Sequence, residues 1–238
     1  MMEEEITRKD EVIPDDKWKF NEEVTRVFEN MLSRSIPEYA VMRNLVKEIS
    51  IKYLGAYGSV LDIGCSNGLS IRDIFDERPE CTYTLCDVSE PMLKACRERY
   101  KGKDNVTILN NDLRNGVPEG MYDVELSILT IQFTPIEYRH KILKSLYDNL
   151  SDDGALIIVE KILGDTCSMD NLLVECYYDM KKENQYTQEQ IQTKRKSLEG
   201  VLVPITSQWN EELFKSAGFK SIQKFWQYLN FTGWILTK

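Results

Sequence analysis

The stretch VLDIGCSNG, residues 60–68, begins as an apolar run and turns into small residues before a helical pattern starts. Asp62 lies in the apolar run, and the small residues after it are Gly64, Ser66 and Gly68. Glycine lets the backbone approach a ligand closely, and the first N–H groups of a helix are free to donate to acceptor atoms. The dinucleotide-binding pattern G-x-G-x-x-G is not met, because Ser66 stands at its second position. The stretch therefore predicts a strand, a ligand-binding turn and a helix, with a turn that binds nothing as the alternative.

Further short apolar runs follow along the chain and alternate with helical patterns. The runs lie at 59–63, 83–87, 106–109, 124–129 and 155–160, and the helical patterns at about 67–77, 90–100 and 135–150. Strands that are apolar on both faces and alternate with helices are typical of a parallel sheet covered on both sides. The aromatic segment 219–238 alternates around Asn230 and predicts a closing pair of antiparallel strands. The predicted fold class is therefore α/β, with a mostly parallel seven-stranded sheet, a C-terminal antiparallel hairpin and added helices.

The same patterns predict one domain over residues 17–238, because no linker or internal repeat interrupts them. Helical patterns precede the first strand, and a helical insertion at about 168–217 follows the fifth. Residues 1–16 are polar, and we expect them to form a mobile acidic tail.

The charge distribution argues against a nucleic-acid surface. Of the formal net charge of −9, residues 1–16 contribute −5 (seven acids against two basic residues), which leaves −4 for the rest. Nucleic-acid binding needs clustered Lys and Arg, so we expect a small-molecule substrate and no direct nucleic-acid binding. No apolar run approaches the ~20 residues that span a bilayer, so no membrane association is expected.

The cysteines and the single histidine bear on metal binding and on disulfide bonds. The six cysteines contain no C-x-x-C pair, and His140 is the one histidine, which argues against a zinc site or a disulfide framework. The N-terminus has no basic and apolar signal region. We therefore expect no metal, reduced thiols and a cytoplasmic location.

Two further acids follow consecutive strands. Asp87 ends the second predicted strand, where a carboxylate can accept both hydroxyls of a ribose. Asp112 and Leu113 follow the third, where a carboxylate can accept from the amine of an adenine ring. Each acid alone could be a helix cap, but together with Asp62 they indicate a nucleoside lying across the carboxyl ends of the sheet.

These residues resemble the motifs of the class I S-adenosylmethionine-dependent methyltransferase family, over about residues 55–160 and 220–238. That family has an Asp-x-Gly-x-x-x-Gly turn, a ribose-binding acid and an adenine-contacting acid, and its sheet carries a terminal antiparallel strand. The resemblance implies a Rossmann-like fold and S-adenosyl-L-methionine as the cofactor.

A narrower resemblance runs from about Trp18 to the C-terminus. The segments that carry it are VFENMLSRSIPEY (27–39), LTIQFTP (129–135), GALIIVEK (154–161), KRKSLEGVLVP (194–204) and FKSAGF (214–219). They look like the carboxy-S-adenosylmethionine synthase family, whose members use S-adenosylmethionine and prephenate to make carboxy-S-adenosylmethionine, later consumed in modifying a tRNA wobble uridine. The two resemblances imply a set of cofactor-binding residues: Tyr39, Asp62, Gly64, Cys65, Ser66, Gly68, Asp87, Val88, Asp112 and Leu113.

The resemblance also implies a catalytic role for Arg195, which would hold the added carboxylate, in the site of a neighbouring subunit of a homodimer. A guanidinium can clasp a carboxylate through two parallel hydrogen bonds, which lysine cannot do. Apolar positions in the insertion, such as Leu172 and Leu173, favour a homodimer but could equally pack on their own sheet. The alternative for Arg195 is a solvated basic turn on a surface helix, and for Tyr39 an aromatic residue at the edge of the core.

The chain departs from the synthase pattern at three positions. Ile128 stands where that family has an Asn, and Tyr177 and Tyr178 stand where it has a pair of His. These changes leave cofactor binding intact but alter how a charged substrate is held. Two other functions therefore stay open: an ordinary methyltransferase for a small-molecule acceptor, and a cofactor-binding protein without activity.

Overall fold

The structure is a computed structural model that describes residues 9–238 and centres on one twisted sheet. Along the sheet the strands run in the order β3-β2-β1-β4-β5-β8-β7, and the two-residue β6 pairs with β5 off this path. The strands are β1 (Ser59–Ile63), β2 (Thr82–Asp87), β3 (Val106–Asn110), β4 (Tyr122–Ile128), β5 (Leu150–Leu163), β6 (Ile205–Thr206), β7 (Ser221–Tyr228) and β8 (Phe231–Thr237). The first five pair in parallel, while β8 lies antiparallel to both β5 and β7. The predicted α/β class and the antiparallel C-terminal hairpin are confirmed.

Helices cover both faces of the sheet. In the described part of the chain they are α1 (Glu22–Ser35), α2 (Tyr39–Tyr53), α3 (Leu69–Glu77), α4 (Glu90–Arg99), α5 (Ile136–Asn149), α6 (Cys167–Glu183), α7 (Gln188–Leu198) and α8 (Ser207–Ala217), with a 3₁₀ turn at Ile131–Phe133. Polar side chains cap the N-termini of several helices. At the start of α4, for example, the Ser89 hydroxyl accepts a hydrogen bond from the backbone N–H of Met92. Among residues 9–238, no helix combines the length and the apolar character that crossing a membrane requires.

Both faces of the sheet are apolar because successive side chains of a strand point to opposite sides. In β1, Val60 belongs to the core cluster on one face, and Leu61 to the cluster on the other. Both side chains are fully buried, and each such burial stabilises the fold by roughly 1.5–3 kcal/mol. The apolar run at 59–63 is continuous because helices cover both faces of the sheet and bury the side chains on each face.

The segment before α1 packs against the insertion that follows β5. The backbone N–H of Trp18 donates to the carbonyl of Ser197 in α7 at 2.9 Å, and the Trp18 ring is buried. Residues 1–8 of the tail predicted at 1–16 lie outside the described residues, while Asp10, within it, is fully buried. The predicted insertion at about 168–217 contains α6, α7, β6 and α8, and residues 184–187 connect α6 to α7.

Candidate active site

Two adjoining cavities lie where β1, β2 and β4 end. The first, the acidic cleft, has a volume of about 330 Å³ and is bordered by Asp87 and Asp112. The second, the lysine chamber, has a volume of about 150 Å³ and is bordered by Lys161, Lys181 and Lys194. Both cavities share a wall made of Phe20, Gly64, Ser66, Leu129 and Phe133. The carboxyl ends of parallel strands are the usual place for ligands in open α/β sheets.

The turn after β1 forms the floor between the two cavities. Gly64 has a φ of +66°, and a Cβ atom there would lie 2.3 Å from Cγ2 of Thr130, so only glycine fits. Ser66 (φ 50°) and Leu129 (φ 59°) also adopt the left-handed conformation, although neither is glycine. Such conformations cost of order 1–3 kcal/mol each and cluster at functional sites. Their position on the shared wall indicates that the turns after β1 and β4 form a ligand site.

Backbone N–H donors hold the Asp87 side chain at the carboxyl end of β2. Its carboxylate accepts from the N–H of Ser66 at 2.9 Å and from the N–H of Ser89 at 2.8 Å. Burial raises the pKa of this carboxyl, while the two N–H groups oppose that rise. The two bonds fix the side chain on the cleft wall beside the exposed Val88, and its remaining lone pairs can accept ligand hydroxyls.

Asp112 borders the far end of the acidic cleft together with Leu113. Its carboxylate accepts from Arg114 at three donors: the backbone N–H at 3.0 Å, Nε at 2.9 Å and Nη2 at 2.5 Å. The guanidinium of Arg114 lowers the pKa of Asp112, which therefore stays ionised. Arg114 was not predicted as a site residue. It also borders the cleft, and its hydrogen bonds orient Asp112, the acid predicted to contact adenine.

Tyr39 and Cys65 border the lysine chamber rather than the acidic cleft. Tyr39 is the first residue of α2, and burial raises the pKa of its hydroxyl to about 12, so the phenol is neutral. Cys65 is buried, and its pKa is raised by the neighbouring Cys96 and by burial. Neither group is poised to ionise, so both serve as neutral walls of the chamber.

Asp62 and Gly68 lie behind the cavity walls. Asp62 is fully buried, burial raises its pKa well above the ordinary range, and its oxygens have no well-formed hydrogen bond to any residue in 9–238. Gly68 precedes α3 with a φ of +75°, and its carbonyl accepts from the hydroxyl of Tyr100 at 2.7 Å. These two residues shape the turn, whereas the other eight predicted cofactor-binding residues border a cavity.

Arg195 lies on the exposed side of α7, outside both cavities of its own chain. Its guanidinium pairs with Glu199 at 2.7 Å, and its Nε donates to Gln192 at 3.2 Å. Lys194, the residue before it, points the opposite way into the chamber. The structure thus separates Arg195 from the other predicted site residues.

The three departures from the synthase pattern fall in different places. Ile128 and Tyr177 border the lysine chamber, while Tyr178 has Arg195 and Glu199 as its charged neighbours. The chamber lysines were not predicted as site residues. Lys161 ends the apolar run of β5 and Lys194 precedes the predicted Arg195 with added positive charge, whereas no pattern distinguishes Lys181.

Comparisons with known proteins agree with this geometry. Residues 61–156 match the family described as "Methyltransferase domain". The chain is 34% identical to the carboxy-S-adenosyl-L-methionine synthase of Methylococcus capsulatus over the whole of both chains. It is 31% identical to the synthase of the same name from Nautilia profundicola, over 93% of this chain and 95% of that one.

Solved structures support the fold. An O-methyltransferase family protein from Burkholderia thailandensis superposes with a TM-score of 0.63 at 16% identity, over 91% of this chain and 60% of that one. Human N-acetylserotonin methyltransferase in complex with S-adenosylmethionine gives a TM-score of 0.54 at 13% identity, over 91% and 58%. The chain therefore spans about 60% of the length of these enzymes and shares their methyltransferase fold.

Proposed function

Because the chain belongs to the carboxy-S-adenosyl-L-methionine synthase family, we propose that it converts S-adenosylmethionine and prephenate into carboxy-S-adenosylmethionine. The observation that carries this proposal is the pairing of the two cavities. The acidic cleft offers two carboxylates that can accept hydrogen bonds from a nucleoside, and a chamber with three lysines beside it suits an anionic second substrate.

The described residues fit the sulfonium nucleoside. Asp87 would accept from both ribose hydroxyls, since its two backbone donors leave further lone pairs free. Asp112 would accept from the adenine amine, and Leu113 would pack against the ring. The methionine part would run along Gly64–Ser66 toward Tyr39, which places the sulfonium methyl at the mouth of the lysine chamber.

The overall reaction balances without another reactant. Prephenate loses its ring carboxyl as carbon dioxide and its ring hydroxyl as hydroxide, which leaves phenylpyruvate. Hydroxide takes a proton from the sulfonium methyl and becomes water, and the resulting ylide carbon forms the new bond to carbon dioxide. The contribution of the protein is to hold both reactants together and to exclude bulk water from the ylide. Phe20 and Phe133, with ring centroids 5.2 Å apart, line both cavities and would serve this purpose.

Arg195 would bind the newly added carboxylate in the site of a second subunit. In its own chain it reaches neither cavity, and its partner Glu199 is an exposed residue that it can exchange for a ligand at little cost. Leu172 and Met169 of α6 are each 48% exposed and lie in the same insertion, which favours a homodimer built through it. We also place the enzyme in the cytoplasm, where its six free thiols stay reduced.

The alternative is methyl transfer to a small acceptor. Ile128 favours it, because an apolar residue replaces the amide that the synthase resemblance places near the methionine end. An ordinary methyltransferase would release S-adenosylhomocysteine with an acceptor and would have no need of prephenate.

Mass spectrometry of the reaction mixture separates the two functions. We expect protein, S-adenosylmethionine and prephenate together to yield a nucleoside heavier by one carbon dioxide, with phenylpyruvate in equal amount. Omitting prephenate should abolish the product. Formation of S-adenosylhomocysteine from an acceptor panel, with no carboxylated product, would contradict the synthase assignment.

A further inference from the structure

We propose that Lys161 and Lys181 recognise the carboxylates of a dianionic, ring-bearing substrate, and that the lysine chamber is the binding site for this substrate. The inference rests on the proposed function, because it gives the carboxyl donor of that reaction a place in the structure. It concerns residues of β5 and α6 that are distinct from the cofactor-binding set and from Arg195.

Both lysines place their ammonium groups near the same aromatic ring. Nζ of Lys161 lies 4.5 Å from the centroid of the Tyr177 ring, and Nζ of Lys181 lies 5.3 Å from the same centroid. Lys181 also stands 5.0 Å from the ring of Tyr186. Aromatic faces attract ammonium groups but do not replace a counter-ion. Neither lysine forms an ion pair with any carboxylate in residues 9–238.

Lys194 provides the contrast within the same cavity. It donates to the carboxylate of Asp10, which also accepts from the hydroxyl of Tyr186, and the side chains of both ion-pair partners are almost completely buried. Asp10 is the one acid paired with a chamber lysine among the described residues. When all three lysines are protonated, one carboxylate leaves an excess of two positive charges on the chamber wall.

Burying unpaired charge is costly, and an ammonium group responds by losing its proton more readily. Burial lowers the pKa of Lys161 to about 8 and that of Lys181 to about 7. The charged groups that face them are Asp170 for Lys161, and Lys161, Lys194, Asp10 and Arg34 for Lys181. A dianion in the chamber would supply the two missing negative charges and restore the protonated form of both lysines.

The rest of the chamber suits a carbocycle. Apolar side chains from α1, its C-cap Ile36 and α7 complete the walls, among them Phe28, Leu32 and Leu198. A cavity of about 150 Å³ with aliphatic and aromatic walls is large enough for a benzene-sized ring. The chamber therefore combines two lysines that have no ion-pair partner within residues 9–238 with room for one six-membered ring, directly beside the turn at Gly64–Ser66.

Calorimetry on the full chain saturated with S-adenosylhomocysteine tests the inference, since no turnover occurs in this complex. Prephenate is the dianionic probe and phenylpyruvate the monoanionic one, each titrated into wild type, Lys161→Met, Lys181→Met and the control Lys182→Met. Lys182 lies on the same helix, exposed and paired with Asp179. We expect each chamber variant to weaken prephenate binding by about 10- to 100-fold, the usual loss for a hydrogen bond to a charged group, and the control to match wild type.

Proton uptake on prephenate binding is a second measurement, and it would not change if Lys161 and Lys181 had only a structural role. At pH 8, in buffers of different ionisation enthalpy, prephenate binding to wild type should take up protons as the two lysines become charged, and each chamber variant should take up fewer. Unchanged affinity for S-adenosylhomocysteine would show that the variants fold. Wild-type prephenate affinity in both variants, or no proton uptake by wild type, would overturn the inference.

The outcomes also separate this inference from the proposed function. Lysine-dependent prephenate binding without any carboxylated product would contradict the synthase activity and support the chamber assignment. Carboxylated product made by both variants with the wild-type KM for prephenate would support the synthase activity and contradict the chamber assignment.

Discussion

Replacing Asp87 should abolish tight binding of the sulfonium nucleoside while leaving the fold intact. The carboxylate accepts from Ser66 and Ser89 through backbone N–H groups, and the proposed ribose contacts would use the lone pairs that remain. A hydrogen bond to a charged group contributes about 1.5–3 kcal/mol, so two ribose bonds amount to roughly 3–6 kcal/mol. Asp87→Ala should therefore raise the Kd for S-adenosylhomocysteine by about 10²- to 10⁴-fold.

Asp87→Asn should raise the Kd less than Asp87→Ala does. The amide keeps one acceptor oxygen but has no charge, so we expect about half of the free energy to be lost, or roughly a 10- to 100-fold rise in Kd. The Asn oxygen can accept from only one of the two backbone N–H groups that Asp87 binds, so we expect Asp87→Asn to fold with a lower free energy of unfolding than wild type. The order wild type, Asn, Ala should hold for both S-adenosylmethionine and S-adenosylhomocysteine.

Isothermal titration calorimetry with S-adenosylhomocysteine measures all three proteins directly. Asp152→Ala is the matched control, because the Asp152 side chain is 98% exposed and borders neither cavity. Its Kd should equal that of wild type. An Asp87→Ala protein that is folded by circular dichroism and binds within about threefold of wild type would refute the placement of the ribose in the acidic cleft, since such a change is less than 1 kcal/mol.

Three further perturbations address the turn, the shared site and a buried acid. Gly64→Ala should lower the free energy of unfolding by about 2–4 kcal/mol in urea titrations, because φ is +66° and the new Cβ would lie 2.3 Å from Thr130; a loss below about 1 kcal/mol would contradict the geometry. Arg195→Ala should keep nucleoside affinity but lose product formation, and mixing it with Asp87→Ala should restore part of the activity through heterodimers; a monomeric mass by light scattering would contradict the shared site. Glu160 has a pKa raised to about 8 by burial, so the folded state binds the extra proton and this residue's contribution to stability falls as pH rises from about 4.5 to 8. The free energy of unfolding of Glu160→Gln relative to wild type should therefore increase over that range, and a constant difference would contradict the buried charge.

The parts of the site that could be predicted from the sequence are those encoded within one strand and the turn after it. Gly64 and Asp87 follow directly from local patterns, because a parallel strand must end at the same sheet edge as its neighbours. Asp112 was predicted in the same way, but its partner Arg114, two residues on, carries no signal that distinguishes it from a surface arginine. The structure brings Gly64, Asp87 and Asp112 to the border of one cavity, and their ligand-binding roles stay predictions.

The lysine chamber could not be predicted because its residues are distant in sequence. Lys161 ends an apolar strand, while Lys181 and Lys194 lie in polar helices where a lysine is ordinarily a solvated residue. Asp10 belongs to an acidic segment that composition assigns to a mobile tail, yet it is buried against Lys194 and Tyr186. Only the packing of the N-terminal segment, β5, α6 and α7 on one another places these charges in one cavity.

The change from histidine to tyrosine in α6 is compatible with this charge arrangement. Tyr177 presents its ring to both Lys161 and Lys181, and burial raises the pKa of its hydroxyl, so the residue is neutral. An imidazole near two ammonium groups would have a lowered pKa, and its protonated form would add a third positive charge. A phenol ring instead offers its negative face to both lysines and still leaves their N–H donors free for a carboxylate. The departure from the synthase pattern at Tyr177 is therefore compatible with the proposed binding of an anionic donor in the lysine chamber, and a Tyr177→Leu variant, which lacks that aromatic face, should bind prephenate more weakly than wild type by calorimetry.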